Sequence, residues 1–436
     1  MHIALGTVLT LDIEKPVAGG RMLARHEGRV ALVWAAVPGE RVRARVDRVA
    51  KGVIYAETVE VLTPSQDRRP AADWRCGGTV YAHVDYQRQL RLKGEVVRDA
   101  LARIGKVPLS APPMVIGSPE EGYRMRARLH TRDGRIGFYR EGSHELCGLA
   151  ESIQLRADTV AWLERAASKL GIDGLRAVRS IEIAENIPAT ERVCHLELRG
   201  TVNVGAVAAL STEAELTGLT ASRFVADAPQ VGYQVERLAG TPTVTDVLHV
   251  SDDSPPRAVR LRRDVRAFFQ GNRYLLEPFM RDVIRRIPWG PVVDLYAGVG
   301  LFGLAVAAAG GDAVVLVEGD PVSAADLQVN AEPFEPRVQV HRASVESYLR
   351  NAPRVPGATF ILDPPRTGVS SDAVNGVISR RPSRVVYVAC DPATLARDVR
   401  AFLNAGYELE DLTGFDLFPN TAHIETVVTL TASMDR

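Results

Sequence analysis

The sequence predicts an α/β protein in three parts: an OB-like β-barrel over residues 1–62, a central α+β domain over 63–260, and a doubly wound, Rossmann-like domain over 261–436. Three observations carry that reading. Beyond residue 261, apolar runs of strand length alternate with helical stretches, and strands apolar on both faces belong to a parallel sheet covered by helices. Residues 1–62 instead alternate polar with apolar between closely spaced glycines, the pattern of short half-buried strands. The chain is also too long for one ordinary core.

In the first part, alternation is clear in Arg29–Trp34 and Arg41–Val46, with breaks at Gly19-Gly20, Gly28, Gly39 and Gly52. About five short strands in this span suggest a small barrel, and the OB type is the commonest such shape. Arg41, Arg43 and Arg45 fall on one strand face, a comb that can track phosphates; a solvated face is the plain alternative. A polar linker, Pro64 to Pro70, leads to a helix from Tyr86 to about Ile104, closed by Gly105, which can pack on the third domain. Residues 107–258 mix strands and helices. There Arg124, Arg126 and Arg128 alternate with apolar neighbours and share a strand face. The third part holds the runs Val292–Leu295, Ala313–Glu318, Thr359–Asp363 and Val385–Cys390, and ligands of such sheets sit at the carboxyl ends of the strands.

Composition narrows the function. With 46% hydrophobic and 24% charged residues the chain is globular, and no apolar run nears the length of a membrane span. The N-terminus lacks the features of a secretory signal, so a cytoplasmic monomer without membrane contact is expected. Net charge is zero but uneven: residues 1–140 hold 24 Lys+Arg against 15 Asp+Glu, or +9, and the remainder −9. A basic front joined to an acidic rear fits a polyanion-binding module attached to a catalytic one. Cys76, Cys147, Cys194 and Cys390 stand apart, so neither a zinc ribbon nor a disulfide framework is indicated; each is expected to be a buried small hydrophobe or a reactive thiol.

Chemistry concentrates in the third part. Asp294 precedes Tyr296-Ala297-Gly298-Val299-Gly300, a turn whose glycines admit a ligand close to the backbone. Asp294 would repel a phosphate but suits a cationic ligand such as the methionyl end of S-adenosylmethionine. Glu318, ending the next strand, can accept both ribose hydroxyls. Asp363-Pro364-Pro365-Arg366 fixes a carboxylate and a guanidinium at a third strand end. Cys390 precedes a helix, whose dipole would lower the thiol's pKa. His423 and Glu425 share a face of an expected strand start. A thiol and a carboxylate beside a methyl donor suit methylation at carbon 5 of a pyrimidine, because that carbon becomes nucleophilic only after a thiolate adds to carbon 6. A base must then remove the carbon-5 proton.

These motifs resemble the RNA 5-methyluridine methyltransferases that carry an N-terminal TRAM domain. The resemblance runs over nearly the whole chain and is strongest in Phe268–Asn272, Asp294–Phe302, Asp363–Arg366, Cys390–Asp398 and Phe418–Thr426. It implies that Cys390 is the nucleophile and Glu425 the base. It also implies that Gln270, Tyr296, Glu318 and Asp363 contact S-adenosylmethionine, and that the barrel strands around Arg45 grip structured RNA, either ribosomal or transfer. Leu301 and Asp391 depart from residues common in the family without removing a reacting group. Many relatives hold an iron–sulfur cluster on four cysteines; here the matching positions are Cys76, Thr79, Cys147 and Ser152, so no cluster is expected. Two other readings remain: an RNA-binding protein with a vestigial enzyme domain, which would need none of Cys390, Asp363 and Glu425, and a methyltransferase acting on cytosine or a small molecule.

Overall fold

The computed structural model describes residues 3–70, 73–200, 204–212, 215–225 and 232–433. Strands β1 (Val8–Pro16), β2 (Met22–His26), β3 (Arg29–Trp34), β4 (Arg41–Ala50) and β5 (Val53–Thr63) close into a barrel of order β1-β2-β3-β5-β4. Alternation produces it: Val42, Ala44 and Val46 point inward and are buried, while Arg41, Arg43 and Arg45 point out. Two of those arginines have acidic neighbours, Arg43 with Glu60 at 2.8 Å and Arg41 with Asp12 at 3.9 Å. The barrel core continues into Val80, Tyr81, Val84 and Leu92, which join the linker and α1 (Tyr86–Ala100) to it. Helix α1 runs on through a π turn, Leu101–Gly105.

The short strand β6 (Val115–Ile116) comes next. Then β7 (Arg126–Arg132), β8 (Arg135–Tyr139), β9 (Leu146–Cys147), α2 (Ala157–Ala177), β10 (Val178–Glu185), β11 (Arg192–Leu198), β12 (Gly218–Val225) and β13 (Gly232–Gly240) follow. Seven of these strands form one sheet, β13-β12-β11-β10-β7-β8-β9, with α2 over one face around Trp162 and Leu163. On its other face the arginine row is largely neutralised: Arg126 meets Glu182 at 3.3 Å and Arg128 meets Glu197 at 2.5 Å. Strands β14 (Thr243–His249) and β15 (Ala258–Asp264) pair as a ribbon.

The remaining chain supplies α3 (Leu276–Arg285), β16 (Val292–Leu295), α4 (Gly303–Ala309), β17 (Val314–Glu318), α5 (Pro321–Ala331), β18 (Val338–Arg342), α6 (Val345–Asn351), β19 (Thr359–Leu362), α7 (Ser371–Arg380), β20 (Arg384–Ala389), α8 (Pro392–Asn404), β21 (Tyr407–Phe415) and β22 (Glu425–Ala432). Its eight-stranded sheet runs β18-β17-β16-β19-β20-β22-β21-β6, and the first five strands are parallel. The apolar runs are its strands, and each is buried between helical layers, which is why they carry no polar alternation. Strand order reverses between β16 and β19, so a crevice opens at their carboxyl ends. The outermost strand, β6, comes from residues 115–116 and pairs with Gly414 and Phe415. No helix among the described residues is long and apolar enough to cross a membrane.

One sequence expectation is corrected here. Cys76 and Cys147 are neither free hydrophobes nor reactive thiols; they form a disulfide across 71 residues, with Cα atoms 5.5 Å apart. Spacing along the chain did not indicate it, because the pairing depends on how the segment between the linker and α1 lies against β9.

Candidate active site

The loop after β16 builds the first wall. Tyr296 takes a left-handed backbone conformation (φ 63°), as does Gly298 (φ 58°), where a Cβ would meet nothing within 4 Å. This leaves an open cradle facing the strand ends. Glu318, at the end of β17, accepts from the Gly298 N–H through Oε2 at 2.7 Å and from the Asp320 N–H through Oε1 at 2.6 Å. Each oxygen keeps a lone pair for a further donor. Asp294 is fully buried. Its Oδ2 accepts from the Gly303 N–H at 2.8 Å, and its Oδ1 has no partner among the described residues.

Asp363 follows β19 and lies 3.5 Å from the Gln270 amide, at the limit of a hydrogen bond. Burial pushes its carboxyl up to about 7. Burial also holds Asp294 well above the usual carboxylate range, and Asp363 and Glu318 add to that; Glu318 is raised too, again by desolvation first. Three carboxylates forced toward their neutral forms in one cradle would all ionise more readily beside a cation.

The second wall carries Cys390 and Glu425, the expected nucleophile and base. Cys390 lies between β20 and α8 and is partly accessible. Its thiol is pushed up to about 11, by desolvation first and by Glu425 second, while Arg366 opposes the shift. This corrects the expected lowering by the helix dipole. Asp391 caps the helix, accepting from the Ala393 and Thr394 N–H groups at 3.0 and 2.8 Å, so those donors are already engaged. Glu425 begins β22, 5% exposed, and is held well above the carboxylate range by burial, then by Asp363. Arg366 reaches His423, its Nη2 3.1 Å from both ring nitrogens. Desolvation, then Arg366, lowers that imidazole to about 4, so it is neutral and accepts. His423 itself lies in the turn before β22 rather than in the strand.

All six expected site residues, Gln270, Tyr296, Glu318, Asp363, Cys390 and Glu425, therefore lie at or beside the carboxyl ends of the sheet. What sequence reasoning missed is the support beneath Glu425: Gln89 and Lys93, one helical turn apart in α1, reach into its segment. A signal existed, since both sit among Leu92, Val96 and Val97 on the buried face of the helix, where polar side chains need partners.

Away from the site, Cys76, Cys147 and Glu151 place one donor atom each within 4.8 Å of one another, and the two sulfurs are bonded together. At the other two cluster-matching positions the hydroxyls are engaged by backbone: Thr79 Oγ1 donates to the Cys76 carbonyl and Ser152 Oγ to the Leu149 carbonyl.

Residues 241–433 match the family described as tRNA (uracil-5-)-methyltransferase. An uncharacterized RNA methyltransferase of Streptomyces avermitilis is 32% identical over 98% of this chain and 98% of its own length. Another from Streptomyces coelicolor is 34% identical over 95% of this chain and 91% of its own. Among solved structures, the tRNA (uracil-54, C5)-methyltransferase of Pyrococcus abyssi in complex with S-adenosyl-L-homocysteine superposes with a TM-score of 0.75. It covers 97% of this chain and 99% of that one at 21% identity, a likeness of fold.

Proposed function

Since the chain belongs to the RNA uracil-5-methyltransferase family, we propose that it transfers a methyl group from S-adenosylmethionine to carbon 5 of one uridine in transfer or ribosomal RNA, through a covalent bond from Cys390 to carbon 6. The observation that carries this is the meeting of Cys390, Glu425, Asp363 and Arg366 beside a cradle of raised carboxylates.

The cradle fits the cofactor. Asp294 Oδ1 is a buried acceptor without a donor among the described residues, Glu318 has lone pairs to offer ribose hydroxyls, and the Gly298 turn is open. Tyr296 borders the same turn, and Gln270 and Asp363 would hold the far side. When bound there, S-adenosylmethionine supplies an electrophilic methyl group to an activated carbon 5, and its positive charge suits the three carboxylates.

The protein's own groups do the rest. Cys390, partly accessible, gives up its proton to solvent, and its sulfur adds to carbon 6, moving the double-bond electrons onto carbon 5. Arg366 is the nearby cation that favours the thiolate. After methylation, ionised Glu425 takes the carbon-5 proton, and re-formation of the carbon 5–carbon 6 double bond expels the thiolate. Desolvation suits Glu425 to this step, because a carboxylate that favours its neutral form is a stronger base. The uridine must be flipped out of its helix to reach the thiol, at a cost of a few kcal/mol. The barrel, read as TRAM-like, offers Arg41, Arg43 and Arg45 to the RNA backbone to offset it.

RNA containing 5-fluorouridine tests the covalent step, since fluorine cannot leave as a proton. A stable adduct should form with the protein and S-adenosylmethionine, and Cys390→Ala should give neither adduct nor product. Undiminished turnover by that variant would sink the mechanism.

A further inference from the structure

We propose that Asn420 is a positioning residue for proton removal, gripped by Arg69, Tyr81 and Gln89 so that the segment ending in Glu425 is held against the base. Asn420 is 1% exposed and adopts a left-handed conformation (φ 63°), which asparagine tolerates better than most residues. Its N–H donates to Gln89 Oε1 at 3.0 Å, and its carbonyl accepts from the Tyr81 N–H at 2.7 Å. Its Oδ1 accepts from Gln89 Nε2 at 3.0 Å and from Arg69 Nη2 at 2.8 Å. Every one of these partners lies in α1 or in the stretch leading into it, more than 330 residues away along the chain. One turn further along α1, Lys93 donates to Asp416 Oδ1 at 2.5 Å and to the Phe418 carbonyl at 3.1 Å.

The grip extends to the reacting group. Thr421 Oγ1 donates to the Phe418 carbonyl at 2.7 Å and accepts from the His423 N–H at 3.1 Å, so the turn between Phe418 and His423 is internally braced. Five residues separate Asn420 from Glu425, a span of at most about 18 Å fully extended. Cys390 sits between β20 and α8; the clamp's hydrogen bonds go to Asn420 rather than to it, although Ala389 pairs with Thr426 of β22. Loosening Asn420 therefore acts first on the segment that ends in the base, and a displacement of about 1 Å is enough to slow chemistry about a hundredfold.

The inference rests on Glu425 being the base, and the experiment separates the two. Single-turnover reactions with unmodified RNA would follow formation and resolution of the covalent RNA–protein complex in wild type, Glu425→Gln, Asn420→Ala, Asn420→Asp and Gln89→Glu. Asn420→Ala loses both side-chain bonds. Asn420→Asp keeps Oδ1 and both bonds, and Gln89→Glu keeps the acceptor but loses the donor. Resolution should slow about ten- to a hundredfold in Asn420→Ala, less in Gln89→Glu, and recover in Asn420→Asp, with formation within about threefold of wild type throughout. Wild-type resolution in both Asn420→Ala and Gln89→Glu, or formation and resolution falling together in both as a merely structural role would give, overturns the positioning role. If Glu425→Gln itself accumulates no complex, the base assignment fails and the inference falls with it.

Discussion

Asp363→Asn should make the protein more stable at neutral pH while removing activity. In the folded chain the carboxyl titrates at about 7, against 3.8 for the unconstrained group, with burial the chief cause. The native state therefore holds this proton more tightly than the unfolded state. Between these two values it binds more protons, so stability is highest below pH 3.8 and declines as pH rises toward 7. A difference of about three pKa units at about 1.4 kcal/mol each gives roughly 4 kcal/mol lost by pH 7. Asparagine has no charge to desolvate and can still accept from Gln270. Urea unfolding of wild type and variant between pH 4 and 8 measures the gap directly: a few tenths of a kcal/mol at pH 4, widening to about 4 kcal/mol at pH 7. Glu425 and Asp294 should also titrate lower in the variant, since Asp363 contributes to raising both. A gap that is independent of pH, or a variant less stable than wild type at pH 7, would refute the claim that this carboxylate is held at the expense of stability.

Two further outcomes follow from regions outside the reacting groups. Protein purified without oxygen should carry no stoichiometric iron, because Thr79 and Ser152 stand where thiolates would be needed; iron near four per chain by elemental analysis would overturn that reading. Replacing Arg41 and Arg45 together with serine should weaken RNA binding and flatten its dependence on salt by roughly one to two units of log–log slope, with binding of S-adenosylmethionine unchanged; an unaltered slope would assign the barrel another task.

Much of the architecture was legible because burial leaves a local trace. Val292–Leu295 and Thr359–Leu362 read as strands of a covered sheet since neither face needs polar residues. The β4 alternation named its own inward and outward sides. What stayed hidden depends on partners brought from elsewhere. The Cys390 thiol is raised by burial and by Glu425, 35 residues on in another strand, so its position before a helix predicted the wrong direction. Arg126 and Arg128 looked like a free basic row until Glu182 and Glu197 arrived from neighbouring strands. The Cys76–Cys147 bond and the α1 grip on Asn420 have no local signature of their pairing.

The pairing of Lys93 with Asp416 has a consequence for biosynthesis. Both groups are wholly buried, and 323 residues separate them. At about 5–20 residues per second, a ribosome needs roughly 15–65 s to travel from one to the other. Through that interval α1 carries an ammonium group whose counter-charge does not yet exist, and the β6 edge awaits β21. Helix α1 therefore cannot settle into its final place early in translation, and the last segment to emerge neutralises the helix and delivers Glu425 together. A chain cut short between Cys390 and Asp416 keeps the thiol but lacks both, and burying Lys93 without its counter-charge would cost about 3–5 kcal/mol.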